Sequence, residues 1–162
     1  MVDRPRLRRP GSRWTRGVVA CALLLALVAC GPPEIDAPDL SGADAAACRA
    51  LVADLPTTLL DQERVETTGD TEYGAAWGDP AIVLTCGVGA VDLDDAPPCT
   101  VVDGVGWVVP DDGGGKTTFV TDGYRPRVQV VVPDDYAPEA DALTELATVV
   151  TDHTTLEDRC VW

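Results

Sequence analysis

The chain is short of positive charge, and the shortage is uneven. Its 162 residues hold twelve Lys and Arg against twenty-seven Asp and Glu, and Lys116 is the single lysine. Half of the basic residues, Arg4, Arg6, Arg8, Arg9, Arg13 and Arg16, crowd into the first sixteen positions. Beyond residue 29, six bases face twenty-six acids, a formal charge near −20. Nucleic acid as a partner requires a basic footprint, so that class is excluded. The same charge opposes a domain lying flat on an anionic leaflet. Catalytic signatures are missing too: there is no GxSxG, HExxH, SxxK or P-loop pattern. No cysteine pair has CxxC spacing, which removes the zinc ribbon and the thioredoxin-like redox site. His153 is the only histidine, and no nucleophile or metal partner is indicated for it. A non-enzymatic protein without cofactor or metal is expected.

What is present begins with a targeting pattern. An arginine-rich stretch is followed from Gly17 to Ala29 by apolar and small residues, centred on Leu23, Leu24, Leu25, Leu27 and Val28. A basic region and a short apolar region in that order form an export signal. The run is too short for a hydrocarbon core of ~30 Å, which needs ~20 apolar residues. Leu27-Val28-Ala29-Cys30 closes it as a bacterial lipobox, with Cys30 as the lipidated first residue of the mature chain. A simple secretory signal and an uncleaved anchor are the alternatives. Arg8-Arg9 lacks the apolar residues of a twin-arginine signal and reads as ordinary charge. Two acyl chains on Cys30 suffice for stable attachment. The expected organisation is a lipoprotein signal peptide over 1–29, a lipid-anchored flexible spacer over 30–44 with Pro32, Pro33 and Pro38, and a single domain over 45–162. The expected place is the outer face of the cell membrane.

Cys48, Cys86, Cys99 and Cys160 lie in that domain. Four cysteines in an exported domain make two disulfides, with three connectivities open. The preferred pairing is Cys48–Cys86, tying the first helix to a central strand, and Cys99–Cys160, pinning the C-terminal tail.

Ala45, Cys48, Leu51, Val52 and Leu55 recur at helical spacing, with Ser41 or Asp44 as cap and Pro56 as stop. Residues 61–75 show no period and read as a loop, as does the acidic stretch 88–98. Ala81 to Cys86 is a continuous apolar run and reads as a buried strand. Thr100 to Val109 around Asp103-Gly104 predicts a hairpin with a two-residue type I′ turn, pairing Val102 with Val105 and Thr100 with Trp107. Lys116 to Thr121 and Arg127 to Val132 follow as strands. Leu143, Leu146, Ala147 and Val150 then mark an amphipathic helix with Pro138 in its first turn. The order predicts an α+β, two-layer domain: a four- to five-stranded, mostly antiparallel sheet with an N-terminal and a C-terminal helix.

The segment from Ala76 to Gly87, AWGDPAIVLTCG, resembles the signature of an actinobacterial family of unknown function, DUF3515. The helix at Cys48-Arg49-Ala50-Leu51, the segment Val102 to Trp107 and the segment Val130 to Pro138 fit the same pattern. The resemblance spans about residues 46–152. It implies an exported or lipid-anchored envelope protein and carries no catalytic residue. The abundance of Ala, Val, Asp, Gly, Pro and Thr, with no asparagine, also matches a high-GC actinobacterial proteome.

Two ligand readings remain. Asp92, Asp94 and Asp95, Asp111 and Asp112, and Asp134 and Asp135 form acidic loops, but calcium needs six to eight oxygens in a shaped loop, and solvated acids account for them better. Lys116, Arg125 and Arg127, on or beside neighbouring strands with Tyr124, form a candidate anion-binding facet. Trp77 and Trp107 read as core, and Trp162 as packed under the tail or exposed at a contact. The leading expectation is a lipid-anchored module that binds another envelope protein. An extracytoplasmic small-ligand or ion-binding domain is the alternative.

Overall fold

The computed structural model describes residues 31–91, 99–110 and 114–160. Within Pro32–Trp162, one compact unit, the described elements run in order. Strand β1 (Glu34–Ile35) precedes helix α1 (Gly42–Asp54), then β2 (Thr58–Leu59), β3 (Gln62–Val65), β4 (Thr68–Gly69), β5 (Gly74–Trp77) and β6 (Ile82–Cys86). The second half holds β7 (Thr100–Val102), β8 (Val105–Val108), β9 (Lys116–Thr121), β10 (Tyr124–Arg125), β11 (Val128–Pro133), helix α2 (Asp141–His153) and β12 (Thr155–Leu156). The predicted signal segment and Cys30 lie outside the described residues. No described helix is long and apolar enough to cross a membrane.

Among the described residues, the main sheet has eight strands in the order β2-β3-β5-β6-β11-β9-β8-β7, every neighbouring pair antiparallel. This corrects the expected four to five. The extra strands come from residues 58–77, predicted mostly as loop. Their patterns explain the difference. β3 (Gln-Glu-Arg-Val) is half exposed and has no apolar alternation. β5 (Gly-Ala-Ala-Trp) is wholly buried, but three of its four residues are too small to carry strand propensity. Neighbours in the sheet, not local preference, hold both.

Ile82, Leu84 and Cys86 on β6 and Val128, Val130 and Val132 on β11 alternate onto one buried face. α1 contributes Cys48 and Leu51 to the same apolar cluster, and α2 contributes Leu143, Leu146 and Val150. Both helices therefore cover one face, the expected two-layer α+β arrangement. The other face carries a small cluster of Cys99, Val108 and Val120. Pro56 forces Leu55 into extended backbone and ends α1. α2 starts at Asp141, after a turn in which the Asp141 amide donates to the Pro138 carbonyl, so Pro138 lies before the helix and not in its first turn.

The hairpin forms as predicted: Asp103 and Gly104 both have positive φ, and Val102 pairs with Val105 and Thr100 with Trp107. Both disulfides form with the preferred partners, Cys48–Cys86 and Cys99–Cys160, at Cα separations of 5.5 and 5.8 Å, inside the usual range. The predicted spacer differs. β1 pairs in parallel with β4, the Thr68 amide donates to the Pro33 carbonyl at 2.9 Å, and Ile35 is buried. From Pro33 onward the segment belongs to the folded unit. A single isoleucine between acids and prolines offers no period to read.

Candidate functional site

The four residues of the predicted anion-binding facet do not come together. Lys116 pairs with Pro133 at one end of the β9–β11 ladder, whereas Arg127 precedes Val128 at the other end of β11. At ~3.3 Å per residue they stand about 20 Å apart along the strand. Tyr124 is buried, and its hydroxyl donates to the Gly104 carbonyl at 3.1 Å. Arg125 is clamped by Asp44 of α1, with a guanidinium nitrogen 2.9 Å from a carboxylate oxygen and Nε at 3.1 and 3.2 Å. Asp44, and then Glu157, raise the Arg125 pKa above its already high ordinary value. Arg125 and Arg127 do share a hollow of about 200 Å³, but Asp44 and Glu157 line it too. An incoming anion would have to displace acids already in place.

His153, at the C-terminus of α2, places Nε2 2.8 Å from an Asp54 carboxylate oxygen at the C-terminus of α1. The contact joins the two helix ends beside a hollow of about 280 Å³ that Glu145 and Asp152 also line. Asp134 and Asp135 are exposed in a 3-10 turn after β11. The acidic stretches at 92–95 and 111–112, and Trp162, lie outside the described residues. Among the described residues, metal-type ligand atoms converge at Cys99, Asp122 and Cys160, where the two sulfurs are joined to each other.

A different place gathers unusual features. β12 pairs antiparallel with β10, Tyr124 opposite Leu156 and Arg125 opposite Thr155. The Glu157 and Asp158 amides both donate to the Gly123 carbonyl, at 2.8 and 3.2 Å. Gly123 has a φ of +75°, and a Cβ there would run into the Asp158 carbonyl. Cys160 then closes the strap onto Cys99, packed against Gly106. Between this strap and the β7–β8 hairpin lies a hollow of about 210 Å³, lined by Val101, Tyr124 and Leu156, with Asp122 and Arg159. Among the described residues, the large apolar side chains left exposed are Val101, at 54 %, and Leu156, at 46 %. Both line this one hollow.

Sequence reasoning missed this place because Leu156 is a lone apolar residue in Thr155-Leu156-Glu157-Asp158-Arg159. The usable signal was Cys160: once the tail is pinned beside the hairpin, Leu156 must lie near it.

No curated protein matches this chain, and no solved structure does. A family model described as a protein of unknown function matches residues 15–158, nearly the whole length. The quoted segments, the two helices and the Cys48–Cys86 bridge fall within that span, and the chain belongs to the DUF3515 family.

Proposed function

We propose that this chain is an exported cell-envelope lipoprotein, anchored through Cys30, whose folded unit is a non-enzymatic interaction module for another envelope protein. The observation that carries the interaction reading is the convergence of Val101 and Leu156 on one hollow beside a terminal strand of the sheet. Apolar side chains gathered in one exposed place mark contact sites, whereas scattered single ones do not. Two disulfides support an oxidising, extracytoplasmic setting. The hollows described above hold about 200–280 Å³, below the ~300–1,000 Å³ of small-molecule pockets. That ranks the alternative, a ligand site at Arg125 and Arg127, second.

Site-specific photocrosslinking in the native host tests the interaction. A crosslinker at position 101 is expected to trap one envelope protein repeatedly, and one on the exposed face of α2, at Glu145, is not. Equal, unspecific products from both positions would refute the reading. Growth with an alkyne-tagged fatty acid is expected to label the chain and to leave Cys30→Ala unlabelled. An unlabelled wild-type chain, or equal labelling of both, would refute lipidation at Cys30.

A further inference from the structure

We propose that the hollow between the hairpin and the C-terminal strap receives an extended, cationic segment of the partner, with one apolar side chain seated between Val101 and Leu156. The inference rests on the interaction reading above and gives the partner its chemistry.

Three observations combine. Among the described residues, β7 is a terminal strand of the eight-stranded sheet. The two-residue turn makes Val102 and Val105 a hydrogen-bonded pair, so by antiparallel alternation Val101 turns its own N–H and C=O away from β8. A partner strand laid along that edge meets one donor, one acceptor and the exposed Val101 side chain together, the elements of strand addition.

The second observation is the hollow itself, whose apolar lining of Val101, Tyr124 and Leu156 suits a single aliphatic or aromatic anchor.

The third is charge. Asp122 lines the hollow. Asp103 adjoins it at the hairpin turn and Asp158 stands two residues beyond Leu156, both exposed. Arg159, which lines the hollow as Asp122 does, is the one base among them. Three acids around an apolar centre, on a chain of formal charge near −20 beyond residue 29, attract a cationic segment and repel an acidic one. The same charge opposes a second copy of this chain at the edge, and opposes an anionic lipid surface.

The test uses the full-length chain in detergent micelles and short fluorescent peptides read by anisotropy. One peptide carries a central leucine flanked by lysines. A second replaces the lysines with glutamates, and a third replaces the leucine with serine. The lysine–leucine peptide is expected to bind, and more weakly as salt rises. The other two are expected to bind at least about tenfold more weakly, the scale of one buried aliphatic side chain. Val101→Ser with Leu156→Ser is expected to reduce binding by a similar factor while leaving the unfolding midpoint unchanged, because both side chains are exposed. Asp122→Asn with Asp158→Asn is expected to flatten the salt dependence.

Equal binding of the lysine and glutamate peptides would overturn the charge argument, and binding untouched by the paired serine substitutions would overturn the place. A dimer in sedimentation that Leu156→Ser dissolves would make a second copy the occupant. Anionic vesicles that bind the chain through Val101 and Leu156 would make it a membrane. A specific crosslink from position 101 without peptide binding would leave the interaction reading standing and remove the cationic segment. Loss of both would remove the two together.

Discussion

Single residues show how differently similar side chains are held. Trp77 and Trp107 are both buried core residues. The Trp77 indole donates to the Pro56 carbonyl at 3.0 Å, whereas the Trp107 indole nitrogen has no partner among the described residues. Replacing either with Phe removes volume, but Trp77→Phe also breaks a hydrogen bond and strands a carbonyl. Trp77→Phe is expected to cost about 1 kcal/mol more than Trp107→Phe, read from denaturant midpoints. A second residue-scale case is pH. Arg49 bonds Glu72 at 2.8 Å and the Tyr73 hydroxyl at 2.8 Å. The Arg49 hydrogen bond, and then the one with Tyr73, hold the Glu72 carboxyl below its usual range. A carboxyl held lower in the folded than in the unfolded state adds stability above its ordinary pKa, and that contribution fades as pH falls through the folded value. Glu72→Gln is therefore expected to reduce the loss of stability on acidification, as measured by thermal unfolding at stepped pH. Because the pair is exposed and the effect modest, added salt is expected to shrink it further.

At the scale of elements, legibility follows how much of an element's stability is local. The 105–108 strand and its hairpin were readable because Asp103 and Gly104 carry the turn and valines alternate beside them. α2 was readable because Leu143, Leu146, Ala147 and Val150 form one stripe. β3, β5 and β1 were not, because Gln62, the alanines of β5 and the solitary Ile35 gain their order only from distant neighbours. The candidate site was less legible still. The basic residues were visible as a group in sequence, but strand register separates Lys116 from Arg127, and Asp44 neutralises Arg125. The C-terminal strap depends in the same way on one position, Gly123. Any side chain there meets the Asp158 carbonyl and a φ that L-residues avoid. Gly123→Ala is expected to cost more than about 1 kcal/mol and to speed hydrogen exchange at the Glu157 and Asp158 amides. Gly104→Ala, where a Cβ meets nothing within 4 Å, carries the backbone strain alone and is expected to leave those two amides protected.

At the scale of the whole molecule, the two disulfides divide the work. Cys48–Cys86 spans 38 residues and joins α1 to β6 within the main core. Cys99–Cys160 spans 61 and joins the hairpin to the strap on the opposite face. The chain-entropy model assigns each about 4 kcal/mol. Their loss is expected to differ in character: Cys48→Ala with Cys86→Ala lowers the global unfolding midpoint, whereas Cys99→Ala with Cys160→Ala first frees the tail to proteolysis near Arg159. Limited digestion followed by mass spectrometry separates the two outcomes. The strand order adds a consequence for how the molecule is made. β11, among the last strands synthesised, sits between β6 and β9 in the middle of the sheet. It works as a keystone: no other strand joins β2-β3-β5-β6 to β9-β8-β7 among the described residues. A polypeptide stopped short of Val128 is therefore no smaller version of the domain. It lacks the strand that would cover the inner edges of β6 and β9, and uncovered edges are where other chains pair.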